Sequence, residues 1–235
     1  MEIEPQSDPQ GVTERVAAIV VDRLTEAIAL RQQAVLALSG GSTPKPLYRR
    51  LAQTDLDWRL VHVLQVDERF APDGDSHRNW TAISTNLIDP TDAVGYPMPT
   101  WGPVSLDLAR GYAQVVETLC GGVLDVVHLG LGDDGHTASL VPGDPILSES
   151  EPIAITGPYQ DLRRMSMTAP LLNRARTIVW EVVGTGKRGA VGTLVNGPLQ
   201  DDHAIPAHLI RQSDDVTLVA DSDALSATIG TATTL

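Results

Sequence analysis

A short apolar segment that ends in a glycine-rich acidic turn is the feature that most constrains the fold. Four of the six residues 124–129 are Leu or Val, which is typical of a strand buried on both faces of a parallel sheet. The next residues contain Gly130, Gly132 and Gly135, with Asp133, Asp134 and His136 among and after them. Open α/β folds bind ligands at the carboxyl ends of their strands. The turn is therefore predicted to hold carboxylates and an imidazole at such an edge.

The same turn formally matches the dinucleotide-binding pattern Gly-x-Gly-x-x-Gly over residues 130–135. Two acidic side chains inside the turn would repel a pyrophosphate, and the unit lies in the middle of the chain instead of at the first strand-helix junction. A nicotinamide cofactor is therefore not expected. The simplest alternative is an acidic surface turn with an ordinary exposed histidine.

The bulk composition limits the classes of partner. At 235 residues with 42 % hydrophobic residues, the chain is expected to form one domain over residues 1–235, with residues 1–11 as a frayed start. A net charge of −13 argues against nucleic acid and anionic membranes as partners. Lys45 and Lys187 are the only lysines, so positive charge for an anionic ligand must be local.

Compartment and membrane signals are equally simple. Cys120 is the single cysteine, which excludes an internal disulfide and fits a reducing cytoplasm. The acidic N-terminus does not resemble a signal peptide, and no apolar run is long enough to span a membrane. A soluble cytoplasmic protein is therefore expected.

A second strand-turn-helix unit predicts a phosphate site. The apolar strand 34–38 is followed by Ser39–Pro44 and then by a helix. In this turn glycines allow close approach of the backbone, Thr43 can cap the helix, and Pro44 suits its first position. The free amides and the positive helix end favour an anion. The alternative is a tight turn with an ordinary cap, and the Walker ending is absent.

Other strands end in charged residues too. Strand 61–66 is followed by Asp67-Glu68-Arg69, and strand 177–183 by a glycine turn with Lys187. Residues 152–156 and 164–168 are predicted to form strands, arranged as a hairpin around Gly157-Pro158. Alternation of strands and helices predicts an α/β fold with a parallel or mostly parallel sheet and helices on both faces.

Five histidines lie outside the acidic turn. They are interpreted as strand, core or exposed residues without a chemical role. They are His62, His77, His128, His203 and His208.

Taken together, these motifs resemble the 6-phosphogluconolactonase family. The resemblance rests on Leu38–Pro44, Asp67–Arg69 with Asn79, Leu129–Leu140, Arg164–Thr168 and Gly184-x-x-Lys187, and it covers nearly the whole chain. It implies a three-layer α/β/α modified Rossmann-like fold, similar to glucosamine-6-phosphate deaminase and ribose-5-phosphate isomerase, without a nucleotide.

Two alternatives come from proteins with a related fold. The deaminase normally has Asp-Glu-Tyr at the second strand and Asn-Glu-Pro after the Gly-His turn, whereas this chain has Asp67–Arg69 and Ala138–Pro142, without that glutamate. A non-catalytic sugar-phosphate sensor would need a DNA-binding module, and the residues before position 33 are too few and too acidic for one.

The resemblance implies hydrolysis of 6-phospho-D-glucono-1,5-lactone to 6-phosphogluconate, the second step of the oxidative pentose phosphate pathway. Histidine is a suitable base, because its ordinary pKa of about 6.5 leaves it mostly neutral at cytoplasmic pH. His136 is the expected general base, oriented by Asp134 or Asp67. Arg69 is expected to bind either the lactone oxygens or the phosphate. The other expected substrate-binding residues are Gly40, Gly41, Ser42, Thr43, Asn79, Arg164 and Lys187.

No cofactor or metal is expected, since no cluster has the ligand spacing of a zinc site. The expected partner is the small-molecule lactone alone, and the chain is expected to act as a monomer or weak homodimer.

Overall fold

The computed structural model describes residues 1–197, 204–210 and 215–226, and within these ranges the strands form two sheets. The strands are β1 (Glu2–Gln6), β2 (Ala34–Leu38), β3 (Val61–Gln65), β4 (Asp67–Arg69), β5 (Val94–Gly95), β6 (Val126–Gly130), β7 (Ile153–Ile155), β8 (Arg164–Met167), β9 (Thr177–Val182) and β10 (Asp215–Asp221). The α-helices are α1 (Pro9–Arg31), α2 (Lys45–Leu51), α3 (Asn79–Ile83), α4 (Leu106–Cys120), α5 (Ala169–Leu172), α6 (Arg188–Asn196) and α7 (Ser222–Leu225).

The larger sheet has seven strands in the order β1-β10-β9-β6-β2-β3-β5, and every pairing in it is parallel. All residues of β2 and β9 are buried, as their apolar sequences predict. Helices cover both faces, which confirms the predicted mostly parallel α/β fold. Because parallel strands end on one side, the turns after β2, β6 and β9 meet at a common edge.

Alternating side chains of the central strands supply two separate cores. Val126 and Val179 pack with α1 and α2 on one face, while Val127 and Trp180 pack with α4 and α6 on the other. Each such side chain, when fully buried, contributes about 1.5–3 kcal/mol to folding. The three-layer arrangement is thus maintained by apolar residues that alternate with the pleat of the strands.

The smaller sheet was predicted only in part. Its strands β7 and β8 form the predicted antiparallel hairpin, but the addition of β4 was not predicted. The sheet is antiparallel, in the order β4-β8-β7, and it includes Asp67–Arg69, which the sequence suggested as the end of a parallel strand. Val66 connects the two sheets, because its N–H donates to Leu38 O (3.0 Å) and its carbonyl accepts from Met167 N (2.7 Å). The chain therefore leaves the main sheet at Val66 and turns Asp67–Arg69 towards the carboxyl edge.

The prediction of a frayed start was wrong. Residues 2–6 form β1, which pairs in parallel with β10 along its whole length. Asp8 then caps α1 by accepting a hydrogen bond from Gly11 N at 2.8 Å. This strand could not be predicted from the sequence, because β1 is an edge strand with mostly exposed polar residues and therefore lacks an apolar pattern.

Two local predictions also need correction. Thr43 does not cap α2; Pro44 occupies the cap position, and no side chain caps this helix. The turn between β7 and β8 is not at Gly157-Pro158 but at Gln160-Asp161, where both residues have positive φ. In each case the sequence showed that a turn was present but not which residues would adopt the special backbone angles.

The predicted locations of the histidines are confirmed where the structure describes them. His128 and His208 are buried and hydrogen-bonded, His62 is partly buried against Tyr96, and His77 is exposed. His203 lies outside the described residues.

No helix in the described part of the chain is long and apolar enough to cross a membrane.

Candidate active site

A cavity of about 430 Å³ lies at the carboxyl edge of the main sheet, between that edge and the smaller sheet. It brings together every residue that the sequence proposed for a site, although these come from widely separated parts of the chain. The predicted residues that line it are Gly40, Gly41, Ser42, Thr43, Asp67, Arg69, Asn79, Asp134, His136, Arg164 and Lys187.

His136 and Asp134 form a close pair in the turn after β6. Asp134 Oδ1 lies 2.6 Å from His136 Nδ1 and also accepts a hydrogen bond from His136 N at 3.1 Å. Burial acts to raise the pKa of Asp134, but the hydrogen bonds from His136 outweigh it, so the pKa lies below its ordinary value. An ionised carboxylate only accepts, so in the neutral form of the imidazole Nδ1 carries the proton and Nε2 keeps a free lone pair. The imidazole can therefore act as a base through Nε2.

Gly132 makes this pairing possible. A Cβ atom at position 132 would lie 2.1 Å from His136 Nδ1, so only glycine lets the imidazole fold back over the turn. The backbone closes the same loop, because Gly132 N donates to His136 O at 2.8 Å. The glycine pattern that resembles a nucleotide-binding loop thus serves to hold a histidine.

Asp67 has different partners. Its carboxylate is buried, with Oδ2 accepting from Ser139 Oγ at 2.5 Å and Oδ1 accepting from Asn79 Nδ2 at 3.1 Å. Among the described residues, no hydrogen bond joins Asp67 to His136. Of the two carboxylates considered for orienting the imidazole, Asp134 is the one in contact with it.

Glu68 organises the wall of the cavity although it does not line it. Its fully buried carboxylate accepts from Arg69 N (2.8 Å) and Asn79 N (2.7 Å) at Oε1, and from Trp80 N (2.8 Å) and Gln65 Nε2 (2.7 Å) at Oε2. Burial raises the pKa of Glu68 above its ordinary value, and these hydrogen bonds reduce the shift. One carboxylate thus joins β4 to the start of α3.

Two arginines stand side by side on the smaller sheet. Arg69 lies directly opposite Arg164 in the register of β4 and β8. The Arg69 guanidinium donates to Asn79 Oδ1 and to His77 O, while Arg164 Nη2 donates to Gln160 Oε1 at 3.2 Å. Burial lowers the pKa of Arg164, and the nearby Arg69 charge lowers it further. This acidic protein therefore concentrates two cations on one wall of the cavity.

Lys187 supplies a third cation from another element. It ends the short 3-10 turn Thr185–Lys187 after β9, and its Nζ lies 2.6 Å from Asp133 Oδ1. Asp133 is itself largely exposed, so solvent weakens the pairing. Lys45, the other lysine, is exposed and does not line the cavity.

The Gly40–Thr43 loop presents its backbone to the same cavity. A Cβ at position 40 would lie 1.8 Å from Asn79 Oδ1, so Gly40 is needed for close packing of the loop against Asn79. Among the described residues, no group accepts a hydrogen bond from the amides of Gly40, Gly41 or Ser42. These N–H groups are available to an anion.

Several lining residues were not identified from the sequence as site residues. Tyr159 and Gln160 come from the β7–β8 turn, and their only signal was an aromatic residue in a polar segment. Glu181 lies in the apolar strand β9 and pairs with the buried His128, at 3.0 Å between Oε2 and Nε2. An acid inside an apolar strand was a usable signal for Glu181.

The described residues contain no group of three or more His, Cys, Asp or Glu that could hold a metal.

Comparisons with known proteins agree with this architecture. A family model described as glucosamine-6-phosphate isomerases/6-phosphogluconolactonase matches residues 7–219. A 6-phosphogluconolactonase of Synechocystis sp. is 36 % identical over 224 residues, covering 92 % of this chain and 93 % of the relative. The crystal structure of a 6-phosphogluconolactonase from Shewanella baltica has a TM-score of 0.85 at 23 % identity, covering 94 % of this chain and 98 % of the other. A monomeric glucosamine-6-phosphate deaminase has a TM-score of 0.83 at 20 % identity, covering 97 % and 100 %.

Replacing Glu68 by glutamine should destabilise the protein by about 2–4 kcal/mol. The amide group would face two N–H donors, so at least two hydrogen bonds to a buried group would be lost. The measurement is the free energy of unfolding in urea. Glu117→Gln, the same change at an exposed position of α4, is the control and should alter that free energy by less than about 0.5 kcal/mol. Equal stability of both variants would contradict the role given to Glu68.

Proposed function

Because the chain belongs to the family of glucosamine-6-phosphate isomerases and 6-phosphogluconolactonases, we propose that it hydrolyses 6-phospho-D-glucono-1,5-lactone to 6-phosphogluconate, the second step of the oxidative pentose phosphate pathway. The observation that carries the proposal is the 2.6 Å contact between Asp134 and His136, in a cavity that also contains three cationic side chains. A base and a cluster of cations are what hydrolysis of an anionic ester needs.

In the proposed mechanism His136 Nε2 removes a proton from a water molecule, and the water oxygen attacks the lactone carbonyl carbon. The carbonyl electrons move to oxygen and form a tetrahedral oxyanion. When this intermediate collapses, the bond between the carbonyl carbon and the ring oxygen breaks, and the imidazolium returns its proton to the ring oxygen. The product acid then ionises. Asp134 stabilises the imidazolium that exists between the two proton transfers.

The phosphate of the substrate is assigned to the Gly40–Thr43 loop, with Arg164 and Lys187. Unpartnered backbone amides in the loop support this assignment, as does the concentration of positive charge in a chain of net charge −13. Arg69 stands beside Arg164 and is proposed to bind either the lactone oxygens or the phosphate. Asn79, which holds Arg69, Asp67 and the loop together, is proposed to shape the substrate pocket.

Further properties follow from this proposal. Hydrolysis transfers no electrons, and an imidazole can carry the proton, so we propose that the reaction needs no cofactor or metal. Every group in the mechanism belongs to one chain, which supports action as a monomer or weak homodimer. The single free thiol of Cys120 fits a reducing compartment, and we propose the cytoplasm.

Deamination of an amino sugar phosphate is the nearest competing reaction. Where the deaminase motif has a glutamate after the Gly-His turn, this chain has Ala138–Pro142, which contains no acidic residue. Ser139 donates to Asp67, and Leu140 and Val141 are buried apolar residues, so this segment offers no acid to the cavity. These contacts favour the lactonase.

A direct assay of the purified chain tests the proposal. We expect hydrolysis of fresh 6-phosphogluconolactone well above its spontaneous rate, without NAD and unchanged by EDTA. Gluconolactone and glucosamine 6-phosphate serve as comparison substrates. Ammonia release from glucosamine 6-phosphate, without lactone hydrolysis, would show that the competing reaction is the right one.

Substitution of His136 by alanine should lower kcat by about 100-fold or more, with a smaller change in KM, as expected when a general base is removed. His77→Ala is the matched control, because His77 Nδ1 also contacts an aspartate two residues earlier (Asp75 Oδ1, 2.8 Å) but its ring is exposed. His77→Ala should retain nearly normal turnover. Nearly normal turnover of His136→Ala instead would transfer the role of base to another group, Asp67 first.

Removing Lys187 or Arg164 should weaken binding of the phosphorylated substrate. Charge-assisted contacts to phosphate contribute about 1.5–3 kcal/mol each, so each alanine variant should lose about 10- to 150-fold in affinity. Some of the loss can appear in kcat, because phosphate binding also orients the ring.

The test measures both variants with phosphorylated and unphosphorylated lactone. Lys45→Ala and Arg110→Ala are matched controls at exposed positions and should behave as wild type. An equal loss on both substrates would mean that the residue acts on the ring or on the fold, not on the phosphate.

A further inference from the structure

The turn between β7 and β8 has an unusual backbone. Gln160 and Asp161 have φ of +51° and +64°, and neither is glycine. Tyr159 and Leu162 close the turn with two hydrogen bonds, N to O at 3.0 Å and 3.3 Å. Two successive non-glycine residues in the left-handed region are uncommon. Such conformations persist where the surrounding structure holds them, and they are concentrated at functional sites.

The turn places Tyr159 between the Asp134–His136 pair and Arg164. Its hydroxyl donates to Asp134 Oδ2 at 3.2 Å, on the oxygen that His136 does not use. Its ring meets the His136 imidazole edge to face, with 5.6 Å between the ring centroids and 64° between the planes. The Arg164 guanidinium lies 4.8 Å from the same ring. One side chain thus contacts the proposed base, its carboxylate and a proposed phosphate ligand.

We propose that Tyr159 is a positioning residue for the reaction: its hydroxyl fixes the rotation of the Asp134 carboxylate towards His136, and its ring holds Arg164 in the cavity. The inference rests on the proposed lactonase function. A carboxylate with only one side-chain partner can rotate about its last bond, whereas one held at both oxygens keeps Oδ1 against Nδ1. Among the described residues, the Arg164 side chain makes one hydrogen bond, to Gln160, so the ring face is its second constraint.

The electrostatics give the two functions of Tyr159 different signatures. The charges acting on its hydroxyl are Asp134 and Asp133 from the turn after β6 and Arg164 from β8. The hydroxyl hydrogen bond keeps the Asp134 carboxylate turned towards His136. Without it the carboxylate can rotate away from Nδ1 and stabilises protonated His136 less, so the acid limb of the rate profile should move to lower pH. Removing the ring should instead affect binding of the phosphorylated substrate.

The experiment compares Tyr159→Phe, Tyr159→Leu and a matched control. Tyr96→Phe removes a hydroxyl that also contacts a histidine, at 3.0 Å from His62 Nδ1, with the same 5.6 Å between ring centroids but outside the cavity. For Tyr159→Phe we expect kcat to fall about 2- to 13-fold at unchanged KM, the range for one hydrogen bond. For Tyr159→Leu, KM for the phosphorylated lactone should also rise, by about 2- to 30-fold. Tyr96→Phe should match wild type.

Two readouts separate positioning from general stability. In the pH dependence of kcat/KM, Tyr159→Phe should move the acid limb to lower pH, and Tyr96→Phe should leave it unchanged. In NMR of the substrate-free protein, the His136 titration should move in the same direction; His136→Ala identifies its signal. The proposal is overturned if Tyr159→Phe changes neither or moves both to higher pH, or if Tyr96→Phe changes both equally.

The NMR readout needs no substrate, so it distinguishes the two proposals. A wild-type protein without lactonase activity would overturn the proposed function, while a moved His136 titration in Tyr159→Phe would still support the contact between Tyr159 and the pair. An active wild type with unchanged Tyr159 variants would overturn only the role of Tyr159.

Discussion

The buried carboxylate of Glu68 is the interaction on which the cavity depends most. It accepts hydrogen bonds from the backbone of Arg69, Asn79 and Trp80 and from the side chain of Gln65. A buried carboxylate is costly, and its raised pKa reflects that cost. It connects three elements, because β3, β4 and the start of α3 all donate hydrogen bonds to its two oxygen atoms. Asn79, fixed in this way, then contacts Arg69, Asp67 and Gly40.

The smaller sheet explains how a protein of negative net charge can bind an anionic substrate. A chain of net charge −13 repels anions at long range, yet the proposed substrate is an anion. Arg69 and Arg164 face each other on the smaller sheet, and Lys187 approaches from β9. The smaller sheet therefore does more than extend the fold: it carries the positive wall of the cavity. Two acids act directly on these cations, because Asp133 pairs with Lys187 and the charge of Asp67 acts on Arg164.

Backbone conformation is as important here as side-chain chemistry. Gly132 and Gly40 permit contacts that any Cβ would block, the first with the proposed base and the second with Asn79. Gln160 and Asp161 adopt left-handed angles without being glycine, and the turn they form presents Tyr159 to Asp134. Glycines identify the first two constraints from the sequence, whereas the third has no such marker.

The sequence by itself determined the parallel α/β architecture and eleven of the residues that line the cavity. Apolar strands such as β2 and β9 can be read directly, because a strand buried on both faces must be apolar, and the carboxyl ends of parallel strands must share an edge. Local motifs such as Gly132 to His136 were equally legible, since their contacts lie within five residues. The tertiary structure decided what depends on distant residues. Asp67–Arg69 pairs with β8 in an antiparallel sheet, and residues 2–6 pair with β10. His136 contacts Asp134 and not Asp67. The tertiary structure also brought Tyr159 to the site, because a hydrogen bond across 25 residues of sequence leaves no periodic signal in the chain.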